Sequence, residues 1–334
     1  MKTKWRIFLG IIVLVILYFL LRNFDFAEVW KLISEANNFY FALAFLTYGI
    51  ALLIYSARLR YVIKNVVKTK FSFILRVTLA GIFVGTIVPT SQASSDPVKA
   101  HFIGKKYKKK RSGVFGAILA DRLYHGITTF LFVILSGFFA FTFLPLSQDI
   151  RHLLQGIFFF LLSFILFILI IYSFRKEMDF SDIFAKITSF LRKKMIKKNP
   201  KSKLGKIFAE HFDNFFKTFK KTFFNKKIAS VAFLLSIIFW LLNFLIPYFL
   251  FLSFGYQVSF LLVMMAASVG IAFAEIGITP GGTGLIEGGI FFTYTLAGIP
   301  PTLALAVTLL TRVIFYIYSG MGGLSLIELE RNVG

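Results

Sequence analysis

The 334-residue sequence contains no cysteine, and this absence removes several classes of chemistry. Disulfide bonds, thiolate nucleophiles and cysteine-ligated metal sites are all excluded. The four histidines show no metal-ligand spacing, so neither a metal nor another cofactor is expected. P-loops, hydrolase nucleophile elbows and nucleotide-binding fingerprints are also missing. We therefore expect no enzymatic activity from this chain.

Acidic residues are scarce: 15 Asp and Glu face 38 Lys and Arg, for a formal net charge of +23. Such a charge is also typical of nucleic-acid-binding proteins. Here, however, the basic residues cluster beside apolar segments, at residues 105–111, 192–206 and 217–227. This placement indicates cytoplasmic loops that contact anionic lipid headgroups. We expect membrane lipids as partners and no nucleic acid.

Long polar stretches are equally rare, since 57% of the residues are hydrophobic and no soluble domain of ordinary size fits between the apolar runs. About 20 apolar residues cross a bilayer core. Six crossings are predicted, at residues 7–21, 39–57, 113–144, 153–174, 228–252 and 302–327. Basic residues before the first run and after the second predict a plasma-membrane protein with both termini in the cytoplasm. In this interpretation Arg58 is the first of several basic residues on the cytoplasmic side.

Two further apolar runs are interrupted at matching positions. Pro89 precedes Asp96 by seven positions and Pro280 precedes Glu287 by seven, so the two sets are in register. The second interruption is rich in glycine and contains Gly281, Gly282, Thr283 and Gly284. Backbone of this kind is tolerated at membrane depth only where protein or a water-filled cavity surrounds it. Interrupted segments in two halves of a membrane chain point to a transporter binding site.

Each interruption is predicted to lie in a re-entrant helical hairpin, the first entering from the cytoplasm and the second from outside. The fold class expected is an all-α polytopic membrane protein with about six crossings and two hairpins in an inverted-topology repeat. The chain is predicted to form one integral membrane domain, residues 1–334, with repeats at about 7–144 and 153–327. Residues 175–227 form a basic cytoplasmic insert, in which regularly spaced phenylalanines indicate an amphipathic helix on the inner leaflet.

Charged side chains near the interruptions are the candidate site residues. A carboxylate inside a membrane segment costs about 2.5–3.5 kcal/mol, so Asp96 and Glu287 require partners or water. Arg122 and Arg312 are the natural partners, because their spacing along the sequence is nearly that of the two carboxylates. The arginines either neutralise these carboxylates or hold an anionic lipid headgroup.

Structural interpretations of the same residues remain open. Asp96, followed by proline, is also typical of a helix N-cap, so a helix start is predicted there. Lys99 is expected at a basic rim. The glycines also fit close helix packing.

These residues resemble motifs of the flippase-like membrane family that includes the transmembrane domain of bacterial lysylphosphatidylglycerol synthases and UPF0104-type proteins. Residues 279–288, TPGGTGLIEG, are similar to its C-terminal motif. Residues 95–100, SDPVKA, resemble its first motif, with Lys99 where the family has arginine, and Asp121-Arg122-Leu123 resembles its acid-arginine-leucine element. The resemblance therefore adds Lys99 and Asp121 to the candidate site residues. The resemblance covers about residues 7–327.

The resemblance implies translocation of a lipid, either an anionic phospholipid or a polyprenyl-phosphate-linked lipid, through a central polar cavity. No acyltransferase-type domain follows residue 334, so lipid aminoacylation is not expected. Two alternatives stay open. One is a membrane enzyme, or an accessory subunit with a lipid-biosynthesis or glycosyltransferase partner, acting on lipid-linked sugars. The other is a secondary transporter for a small anion.

Overall fold

The computed structural model describes residues 26–88, 92–143, 148, 203–274 and 282–333, and within these ranges it is helical, without strands. Its helices are α1 (Phe26–Ser34), α2 (Asn38–Ile63), α3 (Phe71–Ile87), α4 (Gln92–Lys106), α5 (Arg111–Phe143), α6 (Lys203–Phe223), α7 (Lys226–Ser253), α8 (Phe260–Ala274), α9 (Leu285–Leu296) and α10 (Pro301–Val333). The predicted all-helical class is confirmed for this part of the chain.

Four described helices, α2, α5, α7 and α10, are long and apolar enough to cross a membrane. Each coincides with a predicted crossing. Helices α3, α8 and α9 are also apolar, but their 17, 15 and 12 residues fall short of the usual crossing length of about 20. The crossings predicted at residues 7–21 and 153–174 lie outside the described residues. The number of crossings and the re-entrant hairpins therefore stay predictions.

The order of helix lengths repeats. Helices α2 to α5 run long, short, short, long, and helices α7 to α10 run in the same order. An amphipathic helix precedes each set, α1 in the first and α6 in the second. Each long helix that follows has an asparagine N-cap, Asn37 for α2 and Asn225 for α7, whose side chain accepts a hydrogen bond from the first turn. The unit that repeats thus includes the amphipathic helix.

Helices α2 and α7 pack against each other in antiparallel orientation. Near the end of α2, Val62 clusters with Ile228 at the start of α7. One turn back, Arg58 donates to Ser236, 2.9 Å away. Still earlier in α2, Ala44 belongs to the cluster that holds the last turns of α7. The end of α2 therefore lies beside the start of α7, and the first half of α2 lies beside the end of α7, so the two helices run antiparallel.

Most of the remaining contacts between described helices occur in matched sets. Helix α3 packs on α10, and its counterpart α8 packs on α5. Likewise α1 packs on α10 and α6 on α5, while α3 pairs with α4 and α8 with α9. Exchanging the two halves therefore reproduces most of the helix contacts among the described residues. The counterparts α2 and α7 run antiparallel, as an inverted repeat requires, and the inverted repeat itself stays a prediction.

Matching glycines allow the short helices to approach closely. A methyl group added at Gly81 of α3 would lie 2.8 Å from the Lys99 side chain of α4. A methyl group at Gly270 of α8 would lie 2.6 Å from the Ile290 side chain of α9. Such distances are shorter than van der Waals contact. The same close approach, at nearly equivalent positions of the two halves, therefore holds both helix pairs together.

Two sequence predictions about helix ends are wrong. Helix α4 begins at Gln92, so Asp96 lies inside the helix and is not its N-cap, and Pro97 is accommodated within it. Helix α2 continues to Ile63, so Arg58 lies within it and is 1% exposed rather than in a cytoplasmic loop. Apolar residues after Arg58 extend the buried helix face by more than a turn. Asp96 and Arg58 each form ion pairs with neighbouring charged side chains, as described below.

The amphipathic helix predicted in the insert is present as α6, but much of its apolar face packs on α5. Phe219 is 2% exposed, and Phe215 packs against Phe115. The Tyr124 hydroxyl of α5 donates to the Phe223 carbonyl, 2.7 Å away. Protein therefore covers part of the face that was predicted to lie on lipid. Placement on the inner leaflet stays a prediction, and residues 175–202 of the insert lie outside the described ranges.

Candidate functional site

In the second half of the chain, Glu287 and Arg312 form an ion pair between α9 and α10. The Arg312 Nε atom lies 2.6 Å from Glu287 Oε1, and the two side chains are 10% and 15% exposed, arginine first. The other oxygen, Oε2, accepts a hydrogen bond from the Gly284 backbone N–H at 2.6 Å. Glu287 is the third residue of α9, so its carboxylate also satisfies a free N–H at the positive end of that helix. One side chain thus fixes both the helix start and the arginine.

The turn that leads into α9 requires glycine. Gly282 and Gly284 have φ angles of 71° and 87°, a region that side chains with a Cβ atom disfavour. Thr283, between them, lies with its hydroxyl 3.0 Å from the Tyr316 hydroxyl, which accepts a hydrogen bond from Arg312 at 3.2 Å. Of the predicted residues, Gly284 therefore binds Glu287 directly, Thr283 reaches Arg312 through Tyr316, and Gly282 belongs to the same turn.

In the first half, Asp96 lies between two cations. Its Oδ2 atom is 3.1 Å from Arg122 Nη1, and its Oδ1 atom is 3.2 Å from Lys99 Nζ. The Lys99 ammonium also donates to the Tyr55 hydroxyl at 3.0 Å. Lys99 is 3% exposed, so the predicted basic-rim position is wrong. The Arg122 side chain is 32% exposed and is the accessible member of the cluster.

A second, fully buried network adjoins this cluster. Arg58 donates to both oxygens of Asp121, at 2.8 and 3.2 Å, and its Nη1 atom donates to Ser236 and to Nδ1 of His125. Because a guanidinium can only donate, the accepting Nδ1 atom of His125 carries no proton. The Tyr55 ring lies 4.6 Å from the Arg58 guanidinium and links the two groups of charges. Asp121, predicted as a site residue, is thus the partner of Arg58.

The two carboxylate–arginine pairs occupy equivalent positions. In each half the carboxylate lies on the second short helix and the arginine on the long helix that follows. The pairing therefore agrees with the nearly equal spacing of the carboxylates and of the arginines in the sequence. Pro89, Pro280 and Gly281 lie outside the described residues. Whether the pairs meet around one cavity stays a prediction, as does the role of these residues in transport.

Sequence reasoning missed Arg58, Tyr55 and Tyr316. Arg58 begins a run of basic residues that looks like an ordinary cytoplasmic edge. The mostly apolar sequence that follows Arg58 contains no helix breaker before residue 63. This continuity indicates that Arg58 lies within the helix and not at its end. Tyr55 and Tyr316 lie in strongly apolar segments, where tyrosine is common and its partner cannot be read from the sequence.

A chain whose described residues form helices, four of them of membrane-crossing length with ion pairs buried between them, is a polytopic membrane protein. More specifically, it belongs to the family described as the lysylphosphatidylglycerol synthase TM region, whose family model matches residues 6–322.

Relatives of similar length occur in archaea. A UPF0104 membrane protein of Pyrococcus horikoshii is 28% identical over 89% of both chains. One from Methanocaldococcus jannaschii is 26% identical over 92% of this chain and 89% of its own. Another, from Archaeoglobus fulgidus, is 25% identical over 92% of both. The expected family resemblance is therefore confirmed over nearly the whole chain.

Proposed function

We propose that this protein translocates a lipid with an anionic headgroup, a phospholipid or a polyprenyl-phosphate-linked lipid, while the tails remain in the bilayer. The observation that carries the proposal is the two equivalent carboxylate–arginine contacts, Asp96 with Arg122 and Glu287 with Arg312. Charges are costly inside a membrane protein and mark pathways for polar substrates. A headgroup passing through a central polar cavity would displace the carboxylate and bind the arginine in its place.

The chemistry of the pairs suits such an exchange. A guanidinium binds phosphate oxygens in the same forked geometry in which it binds a carboxylate. When a headgroup takes the arginine, the released carboxylate either positions the guanidinium or accepts a proton. No bond in the lipid is made or broken, so the function needs no nucleophile, metal or nucleotide.

The packing of the two halves supports an alternating-access mechanism. The antiparallel contact of the counterparts α2 and α7 supports halves with opposite orientations in the membrane. We place the α3–α4 pair as a re-entrant hairpin from the cytoplasm and the α8–α9 pair as one from outside. Opposed repeats of this kind exchange roles when a substrate site opens to one face and then the other. We also propose that both termini lie in the cytoplasm and that the protein resides in the plasma membrane.

Family membership favours a lipid-related role, because the family description names the membrane region of a lipid synthase. The two alternatives give different results in the same assay. An accessory subunit acting on lipid-linked sugars, with a biosynthetic or glycosyltransferase partner, would not move lipid on its own. A carrier of a small soluble anion would move that anion without moving lipid.

The test is reconstitution of the purified protein in liposomes that contain headgroup-labelled phosphatidylglycerol. An impermeant quencher then reports how fast labelled headgroups cross the bilayer. We expect Glu287→Gln and Arg312→Ala to slow crossing by about 10- to 100-fold, the effect of losing one charged hydrogen-bonding partner. Normal rates in both variants would remove the site assignment. No acceleration by the wild type would remove lipid translocation.

A matched control is available on the protein surface. Arg76 of α3 pairs with Glu328 of α10, and these side chains are 40% and 49% exposed. Arg76→Ala therefore removes an arginine–glutamate contact between a short and a long helix, as Arg312→Ala does, but leaves the buried pairs intact. We expect wild-type crossing rates from this variant at equal reconstituted amounts.

A further inference from the structure

The two halves differ in their balance of buried charge. Asp96 contacts two cations, Lys99 and Arg122, and Asp121 is held by Arg58. These contacts join three cations to only two carboxylates, while His125 accepts from Arg58 and is neutral. In the second half, the ion pair among the described residues joins one carboxylate, Glu287, to one cation, Arg312. Within these contacts, the first half therefore carries one excess positive charge and the second half none.

Lys99 is the origin of this difference. Its counterpart, at the spacing that relates Asp96 to Glu287, is Ile290. Each of the two contacts the matching glycine of the neighbouring short helix, Gly81 or Gly270. The two helix pairs thus have the same packing, but the lysine occurs in one of them. The extra charge is a property of the first half and not a consequence of its fold.

The extra cation changes what the arginine can do. If Arg122 turns toward a ligand, Asp96 keeps Lys99 as its partner. If Arg312 turns away, the partner of Glu287 that remains among the described residues is the Gly284 N–H. Leaving a buried carboxylate without its cation is strongly unfavourable. Arg122 is also the more exposed of the two arginines, 32% against 10%. The first half can therefore release its arginine to an anion at much lower cost.

We propose that Arg122, assisted by Lys99, binds a single phosphodiester monoanion, and that the second half does not retain the anion. One negative charge balances the excess in the first half, whereas a phosphomonoester or pyrophosphate would overcompensate it. This proposal rests on the proposed function and narrows its substrate class to lipids whose headgroup carries one net negative charge at a phosphodiester.

The test is equilibrium binding to the full-length protein in neutral detergent, which needs no transport. The probes are acyl-labelled phosphatidylglycerol, with net charge −1, and phosphatidylcholine, whose ammonium cancels the phosphate charge. We expect preference for phosphatidylglycerol, and loss of that preference in Lys99→Met through an affinity about 10- to 100-fold lower. Lys99→Arg keeps the charge and the preference. Lys68→Met, at an exposed lysine in the α2–α3 loop, is the matched control and binds as wild type.

A second variant covers the case in which Lys99→Met does not fold. Arg122→Gln leaves Asp96 paired with Lys99 and is expected to lose binding of phosphatidylglycerol to a similar extent. Unchanged preference for phosphatidylglycerol in Arg122→Gln or in folded Lys99→Met would overturn the proposal. Dimethyl phosphate, a soluble monoanionic diester, is expected to compete weakly. Competition at the same concentrations as the lipid would instead identify a soluble anion as the ligand.

The binding and transport results are separable. Charge-dependent binding that requires Lys99, together with absent lipid crossing in liposomes, would support this site and reject translocation. Lipid crossing by a protein that binds both lipids equally would support translocation and reject this site.

Discussion

At the scale of single residues, the buried Arg58–Asp121 contact has a structural role distinct from that of the exchangeable pairs. Arg58 is 1% exposed, and its contacts go to three side chains from α5 and α7. These bonds tie α2 to both helices. Because its guanidinium is buried among these partners, we assign this arginine to stability rather than to ligand binding.

We predict that Arg58→Met lowers stability by about 3–5 kcal/mol, because Asp121 is left as a buried charge without its cation. Adding Asp121→Asn to this variant removes the orphaned charge and restores part of the loss. The midpoint of thermal unfolding in detergent measures both effects. A double variant no more stable than Arg58→Met would contradict this explanation. Arg76→Met, at an exposed ion pair, serves as control and is expected to cost under about 1 kcal/mol.

The sequence predicted the charged pairs better than it predicted their surroundings. Equal spacing located Asp96, Glu287 and both arginines, because a carboxylate in an apolar segment needs a cation from the same half. Arg58 could not be found in this way, since its partner lies 63 residues away in a different helix. Spacing reports repeated local structure, but contacts between helices depend on packing.

At the scale of helices, close backbone contact fixes how the short helices lie on the long ones. A methyl group at Gly322 of α10 would overlap the Leu79 carbonyl oxygen of α3. By contrast, a methyl group at Gly320, two residues earlier in the same helix, would meet no atom within 4 Å. Alanine substitutions at these two positions therefore distinguish the effect of helix packing from the difference in helix propensity between glycine and alanine.

We predict that Gly322→Ala destabilises the protein by about 1–3 kcal/mol, because α3 must move away from α10. Gly320→Ala is expected to be neutral or to stabilise by up to about 1 kcal/mol, since alanine is the better helix former. Thermal unfolding midpoints of the two variants provide the comparison. Equal effects in the two variants would contradict the close contact between α3 and α10.

Helix existence could be predicted from apolar runs, while helix ends could not. The start of α4 was placed at Asp96 because aspartate before proline is a common N-cap signal. The helix instead begins at Gln92, and both oxygens of Asp96 contact cations, Arg122 and Lys99. Similarly, the phenylalanines of α6 indicated a lipid surface, but close packing at Gly116 brings α6 onto α5.

At the scale of the whole molecule, the proposed mechanism requires two halves with the same packing and opposite orientation. The antiparallel contact of α2 with α7 and the matched contacts around them support this arrangement. The α4–α5 and α9–α10 loops are equivalent under it, since Lys110 and Pro300 have the same spacing in the sequence as Arg122 and Arg312. Opposite orientation requires these two loops to lie on opposite faces of the membrane.

The most direct measurement is the reactivity of single cysteines toward an impermeant maleimide in sealed vesicles of each orientation. The chain has no cysteine, so Lys109→Cys and Pro300→Cys each introduce one thiol, at exposed loop positions. We predict that Lys109→Cys reacts only in inside-out vesicles and Pro300→Cys only in right-side-out vesicles. Reaction of both thiols from the same face would contradict the opposed halves, and with them the proposed transport mechanism.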